Sequence, residues 1–319
     1  MMDVPAVVAG VLAGERRAVG RAISMVESLG DEGRAIVRAL HPHAGRAERL
    51  GLTGAPGVGK STLASALIRT LREEGRTIGV VSVDPTSPFT RGAVLGDRIR
   101  LTEHFLDRGV FIRSMATRGH AGGLAEATAD AVLVLDAAGY DVVMVETVGA
   151  GQTEVEVGQL AETVVLVLMP GAGDAIQAIK AGLMEIPDVL VVNKADRPGA
   201  DLMRAELEGA LGLVSWEGWR PPIVATRAVD GEGIGDLAAA IARHRAHLVE
   251  NGVLDARRRD GLARQLRSLA LDRFGRRVDD ALGAGFVEGL VDEVLSGRLD
   301  PASAVDEVVE RADRPAGSG

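Results

Sequence analysis

Eight consecutive residues constrain this chain more than any others. Gly54-Ala55-Pro56-Gly57-Val58-Gly59-Lys60-Ser61 reads GxxxxGK[ST], with the apolar run GLT (51 to 53) before it and the helical pattern Leu63, Leu67, Leu71 after it. Glycines let successive backbone N–H groups turn inward on phosphate oxygens at a helix N-terminus. A compact ammonium at Lys60 reaches the β and γ oxygens, where arginine's broad planar fork would not serve. Ser61 stands where a hydroxyl meets Mg²⁺. The expected phosphate-binding set is therefore Gly54, Ala55, Pro56, Gly57, Val58, Gly59, Lys60, Ser61 and Thr62, with Lys60 also catalytic.

A strand, loop and helix of this kind imply more of the same. From Arg49 to about Val224, short and mostly β-branched runs alternate with helical stretches: IGVVSV (78 to 83), VFI (110 to 112), VVMV (142 to 145), VVLVLM (164 to 169), VLVV (189 to 192) and PIV (222 to 224). The alternation predicts a P-loop NTPase α/β fold, a parallel sheet flanked by helices. Its ligands belong at the carboxyl ends of the strands.

Helical extensions are expected on both sides. Val19, Ile23, Val26 and Leu29 recur at helical spacing in a leader that breaks near His41-Pro42-His43. Beyond Gly235 the chain is helical again, and Phe286, Val287, Leu290, Val291, Val294 and Leu295 form an apolar stripe that needs a partner, either the chain's own core or a second copy. The expected organisation is an N-terminal extension (1–46), a nucleotide domain (47–235) and a C-terminal arm (236–319). The tail PAGSG is expected to be disordered.

Composition narrows the partners. A formal charge of −9 argues against nucleic acid, whose backbone needs clustered positive charge. The run Arg257 to Arg259 is a local exception, read as a solvated helix face or a contact with an acidic partner. No apolar run approaches the ~18 residues of a membrane span, and the apolar start VPAVVAGVLAG, with its positive charges behind it, reads as helix rather than secretory signal. The absence of cysteine leaves no disulfide or thiolate site and points to the cytosol. The six histidines form no convincing metal cluster.

Asn193-Lys194-Ala195-Asp196 follows VLVV and matches NKxD. A carboxylate only accepts hydrogen bonds, so Asp196 can pair with N1–H and the 2-amino group of guanine, a donor pair that adenine lacks. A second base-contacting loop would fall at Thr226-Arg227-Ala228-Val229, making Arg227, Ala228 and Val229 candidates beside Asn193, Lys194 and Asp196. Asp84 ends the run IGVVSV, Glu146 ends VVMV, and Asp97 lies in RGAVLGDRIR. With Ser61 they are the hard-oxygen candidates for Mg²⁺, which usually keeps several waters, so that not every acid need touch it. The competing readings are strand-end or helix caps and, for Asp97, a surface ion pair. Gln152 is either a water-orienting amide or a solvated one.

Taken in order, GAPGVGKST, VDPTSPFTRGAVLGDRIR, RSMATRGHAGGLA, ETVGAGQTE, PGAGDAIQAIKAG and VVNKAD resemble the methylmalonyl-CoA mutase-associated GTPases, the MeaB/ArgK group, over roughly residues 10 to 300. The resemblance implies GTP hydrolysis to GDP in the service of an adenosylcobalamin-dependent acyl-CoA mutase. It also implies a homodimer built through C-terminal helices, and Mg²⁺ contact, direct or through water, by Ser61, Asp84, Asp97 and Glu146. Asp174 to Lys180 resembles the segment called switch III, which responds to the mutase. Ala175 stands where an acidic residue is common and Arg91 where glycine is common.

Lysine occurs only at 60, 180 and 194, and the first and last lie in nucleotide motifs. Lys180 is therefore read as a cation brought to the transferring phosphate when a partner orders its loop, the competing reading being a surface lysine. The rival function is a nucleotide-dependent kinase acting on a small molecule or transport protein. A nickel-insertion GTPase fits poorly without cysteines.

Overall fold

A computed structural model describes residues 3–84, 99–116, 121–147, 160–171, 187–216 and 218–313. Among these residues seven strands lie in one parallel sheet: β1 (Glu48–Thr53), β2 (Ile78–Asp84), β3 (Val110–Ala116), β4 (Val142–Thr147), β5 (Thr163–Leu168), β6 (Val189–Asn193) and β7 (Ile223–Thr226), in the order β3-β2-β4-β1-β5-β6-β7. Each expected apolar run becomes a strand. Val142, Val143, Met144 and Val145 are all essentially inaccessible, because a parallel sheet is covered on both faces and its strands are apolar throughout rather than alternating. Strand β1 is central, between β4 (Leu52 opposite Glu146) and β5 (Thr53 opposite Leu166). The chain leaves it toward β2 on one side and later returns on the other side with β5. The strand order reverses there, which opens a crevice at the carboxyl end of β1.

The leader forms three helices, α1 (Val4–Leu12), α2 (Arg16–Glu27) and α3 (Asp31–Leu40), followed by a 3-10 turn at His41–His43. Val19, Ile23 and Val26 of α2 are buried as the spacing predicts, and at about 1.5–3 kcal/mol each their burial docks the leader firmly. Leu29 differs from expectation. It lies beyond the end of α2 with φ of 53°, its N–H bonded to the Val26 carbonyl in a helix-ending turn. The leader packs with α5 (Ala121–Ala137) against Val81, Val83, Val143 and Val145 on one face of the sheet. Helix α4 (Lys60–Glu73) and α7 (Ile234–Glu250) cover the opposite face, and α6 (Ala200–Gly212) packs on β5 and β6 through Leu207 and Leu211.

Two compact units divide the chain at residues 265 and 266. Helix α8 (Leu254–Leu295) begins in the first. Its opening turns resolve the arginine run, because the acidic partner is the chain itself. Arg257 donates to Asp188 at 2.5 Å, Arg258 donates to Glu162 at 2.5 Å, and Arg259 is exposed. Glu162 also binds Arg245, while Asp188 accepts the Val164 N–H at 2.8 Å and stands 3.2 Å from His244 Nε2.

In the second unit, α9 (Pro301–Asp313) is capped by Asp300, which accepts the N–H groups of Ala302 and Ser303, and Arg311 lies 4.1 Å over the ring of Phe286. Along the expected stripe Leu290 is buried, whereas Val287, Val291 and Leu295 are exposed. Among the described residues no helix is long and apolar enough to cross a membrane, and no group of three metal-binding side chains forms.

Candidate nucleotide-binding site

The loop between β1 and α4 has a backbone that side chains would obstruct. Gly54 adopts φ of 139°, and a Cβ there would sit 2.2 Å from the Val167 carbonyl oxygen of β5. At Gly59, with φ of 99°, a Cβ would meet Asn193 Nδ2 at 2.5 Å. Glycine is thus required by both conformation and space. Lys60 opens α4 and is buried. Its ammonium donates to the carbonyls of Gly54 at 2.5 Å and Ala55 at 2.9 Å, so the charge is held at the mouth of the loop.

Ser61 donates to Glu146 Oε1 at 2.6 Å, and both side chains are buried. This contact joins the first turn of α4 to the end of β4. A buried carboxylate demands donors or a cation. A hydroxyl and a carboxylate oxygen beside the phosphate loop are the hard donors that Mg²⁺ takes, so the residues present fit that ion. Asp84 ends β2 two residues beyond Ser82, the register partner of Glu146, on the same edge. Asp97, Gln152 and Lys180 lie outside the described residues, as do Arg91 and Ala175.

The NKxD segment is tied to the phosphate loop. Asn193 Nδ2 donates to the Val58 carbonyl at 2.8 Å, while its Oδ1 accepts from Thr226 Oγ1 at 3.0 Å and Ala228 N–H at 3.2 Å. One buried amide therefore joins three loops. Lys194 has φ of 56°, uncommon outside glycine, and its ammonium donates to the Gly57 carbonyl at 2.7 Å. Gly59, Thr62, Asn193, Lys194, Asp196, Arg197, Arg227, Ala228, Val229 and Asp230 line a cleft of about 300 Å³. Asp196 is exposed within it, and Val229 offers an apolar surface 83% exposed.

Two sets of contacts here have no motif to announce them. Lys194 Nζ also reaches Met169 Sδ at 3.5 Å, and Arg227 is paired with Asp230 and with Glu232, the latter at 2.8 Å. The only local signal is the Asp-Gly-Glu-Gly sequence at 230 to 233, which marks a tight turn. The Arg227 N–H bonds the Glu232 carbonyl across that turn at 3.0 Å.

Known proteins resemble this chain over most of its length. Residues 19–282 match the family model described as "Methylmalonyl Co-A mutase-associated GTPase MeaB". A Pyrococcus horikoshii protein whose name assigns it provisionally as a GTPase is 49% identical over 302 residues, covering 93% of this chain and 95% of its own. The "Methylmalonic aciduria type A homolog, mitochondrial" of Caenorhabditis elegans is 32% identical over 323 residues, 94% of this chain and 80% of its own. The crystal structure of a protein named "LAO/AO transport system kinase" superposes with a TM-score of 0.72 at 27% identity, covering 97% of this chain and 98% of its own.

Proposed function

The chain belongs to the methylmalonyl-CoA mutase-associated GTPase family, MeaB, and from that premise we propose that it is a guanine-nucleotide switch that protects and loads an adenosylcobalamin-dependent acyl-CoA mutase. Its enzymatic activity is GTP hydrolysis. The observation that carries the reading is the junction at Asn193, which sets the base-side loops against the phosphate loop so that one nucleotide can engage both.

In this reading the Lys60 ammonium exchanges its two loop carbonyls for phosphate oxygens, and Asp196 accepts the paired N–H donors of guanine. Ser61, Glu146, Asp84 and Asp97 would hold Mg²⁺, directly or through water. The bound ion supplies charge compensation on the transferring phosphate. Gln152 orients the attacking water, and Lys180 adds a cation when the mutase orders its segment. The exposed Val287, Val291 and Leu295 support a homodimer formed through the arm, residues 236–319. The absence of cysteine supports action in the cytosol, and the net charge of −9 supports a partner other than nucleic acid.

The experiment is GTP turnover with and without an adenosylcobalamin-dependent acyl-CoA mutase, for the wild type and Lys180→Ala. The mutase should raise the rate of phosphate release, and the variant should lose the stimulated part while keeping its GDP affinity. Likeness to a transport system kinase supports a second reading, phosphate transfer to an acceptor other than water. A phosphorylated small molecule or transport protein, without mutase stimulation, would favour it.

A further inference from the structure

Residues 103 to 107, on the way to β3, are fastened along α4 by a series of side-chain contacts. His104 Nε2 lies 2.8 Å from Ser65 Oγ and 3.1 Å from the Ser65 carbonyl. Ser65 Oγ donates to Glu103, and Arg69 Nη2 donates to both oxygens of Glu103 at 3.1 Å. Farther along, Arg72 makes a two-bonded pair with Asp107 at 2.9 and 3.1 Å. Donors and acceptors close consistently if Nε2 carries the proton: histidine donates to serine, serine to glutamate, and arginine to glutamate. Ser65 and His104 are both buried, and Leu101 in the same 3-10 turn (Ile99–His104) is sealed into the core under α4.

Residues 65, 69 and 72 of the helix meet 103–104, 103 and 107 of the returning chain, so the two segments run in the same direction. Leu101 of the turn belongs to the same core cluster as Leu63 and Ala64 in the first turns of α4. Four residues back along α4 from Ser65 is Ser61, a rise of about 6 Å. Four residues back along the turn from Glu103 is Ile99, a rise of about 8 Å. One turn of α4 therefore separates the Ser65–His104 contact from the hydroxyl that meets Glu146.

We propose that Ser65 and His104 are positioning residues for the metal-assisted step, holding the returning chain in register with the first turn of α4. The proposal rests on the Mg²⁺-dependent GTPase reading, and neither residue touches the nucleotide. The test uses the full-length protein and three measurements: GDP affinity without Mg²⁺, kcat for GTP, and the Mg²⁺ concentration giving half-maximal rate. Ser65→Ala and His104→Leu should raise the Mg²⁺ requirement about tenfold or lower kcat by a similar factor, with GDP affinity within about twofold of wild type. His104→Gln, whose amide N–H can replace the imidazole donor, should keep the wild-type requirement. Arg72→Ala, which breaks the rung farthest from the site, should lower Tm and leave the Mg²⁺ profile unchanged.

A wild-type Mg²⁺ requirement together with a wild-type kcat in folded Ser65→Ala and His104→Leu would overturn the proposal. So would an equal shift in Arg72→Ala, because general loosening would then explain everything. Hydrolysis by the wild type without divalent metal would instead overturn the reading beneath it.

Discussion

At the carboxyl edge of the sheet, the cations and the amide of the nucleotide motifs reach for backbone, while Ser61 reaches the side chain of Glu146. Lys60 binds the carbonyls of Gly54 and Ala55, Lys194 that of Gly57, and Asn193 that of Val58. At the amino edge, side chains bind one another across long stretches of sequence. Asp188 meets Arg257, and Glu162 meets Arg245 and Arg258, at separations of 69 to 96 residues. The carboxyl edge presents groups that can be exchanged for a ligand. The amino edge satisfies its charges internally and joins β5, β6, α7 and the start of α8. The first arrangement suits binding, and the second holds the scaffold on which binding depends.

The largest expected effects exchange between the two edges. Asp188→Ala leaves the buried Val164 N–H without its acceptor and Arg257 without its partner, and should cost about 1–3 kcal/mol of stability, read as a fall in the denaturation midpoint, while the folded fraction binds GDP as before. Lys60→Ala should do the reverse, losing about 10²–10³ in kcat from one missing charge donor with a smaller change in midpoint. A loss of nucleotide affinity in folded Asp188→Ala would break the division of labour.

A smaller effect sharpens the comparison through pH. Burial, then Arg257 and His247, pushes His244 down to about 3, so it stays neutral in the folded protein. Burial pushes Asp188 up to about 6, against the pull of Arg257 and the Val164 N–H. The signs oppose. Below pH 6.5 the unfolded histidine takes a proton that the folded one refuses, so its contribution to stability is lost as pH falls. Folded Asp188 gains a proton before the unfolded carboxyl does, so its burial penalty is relieved over part of the same range. His244→Gln removes the histidine's own titration. The variant's relative stability should rise by about 1.5 kcal/mol between pH 6.5 and pH 5, and a constant difference would contradict the assignment.

The two edges also differ in how legible they are in the sequence. Local spacing suffices for the strands and for the loop at Gly54 to Ser61, because an apolar run, a tight turn and a helix start are written in adjacent residues. Asn193 and Asp196 are readable for the same reason. The Ser61–Glu146 contact spans 85 residues and follows only from placing both at one edge of a parallel sheet. Nothing local marks Asp188 and Glu162 as acids for Arg257 and Arg258, since a charge at the start of a strand looks like any solvated one. The bend at Leu29 escapes because its spacing continues the helical stripe past the helix's end.

On the proposed reading, the cleft between Lys194, Asp196 and Arg227 to Val229 takes guanine. The direct test measures affinity for GDP, ADP and xanthosine diphosphate in the wild type and in Asp196→Asn. Asp196 accepts only, so the wild type should favour GDP over ADP by at least about 10². Asparagine can donate to the 2-oxo group of xanthine, so the variant should weaken for GDP and gain for xanthosine diphosphate. Equal binding of GDP and ADP by the wild type would contradict the account.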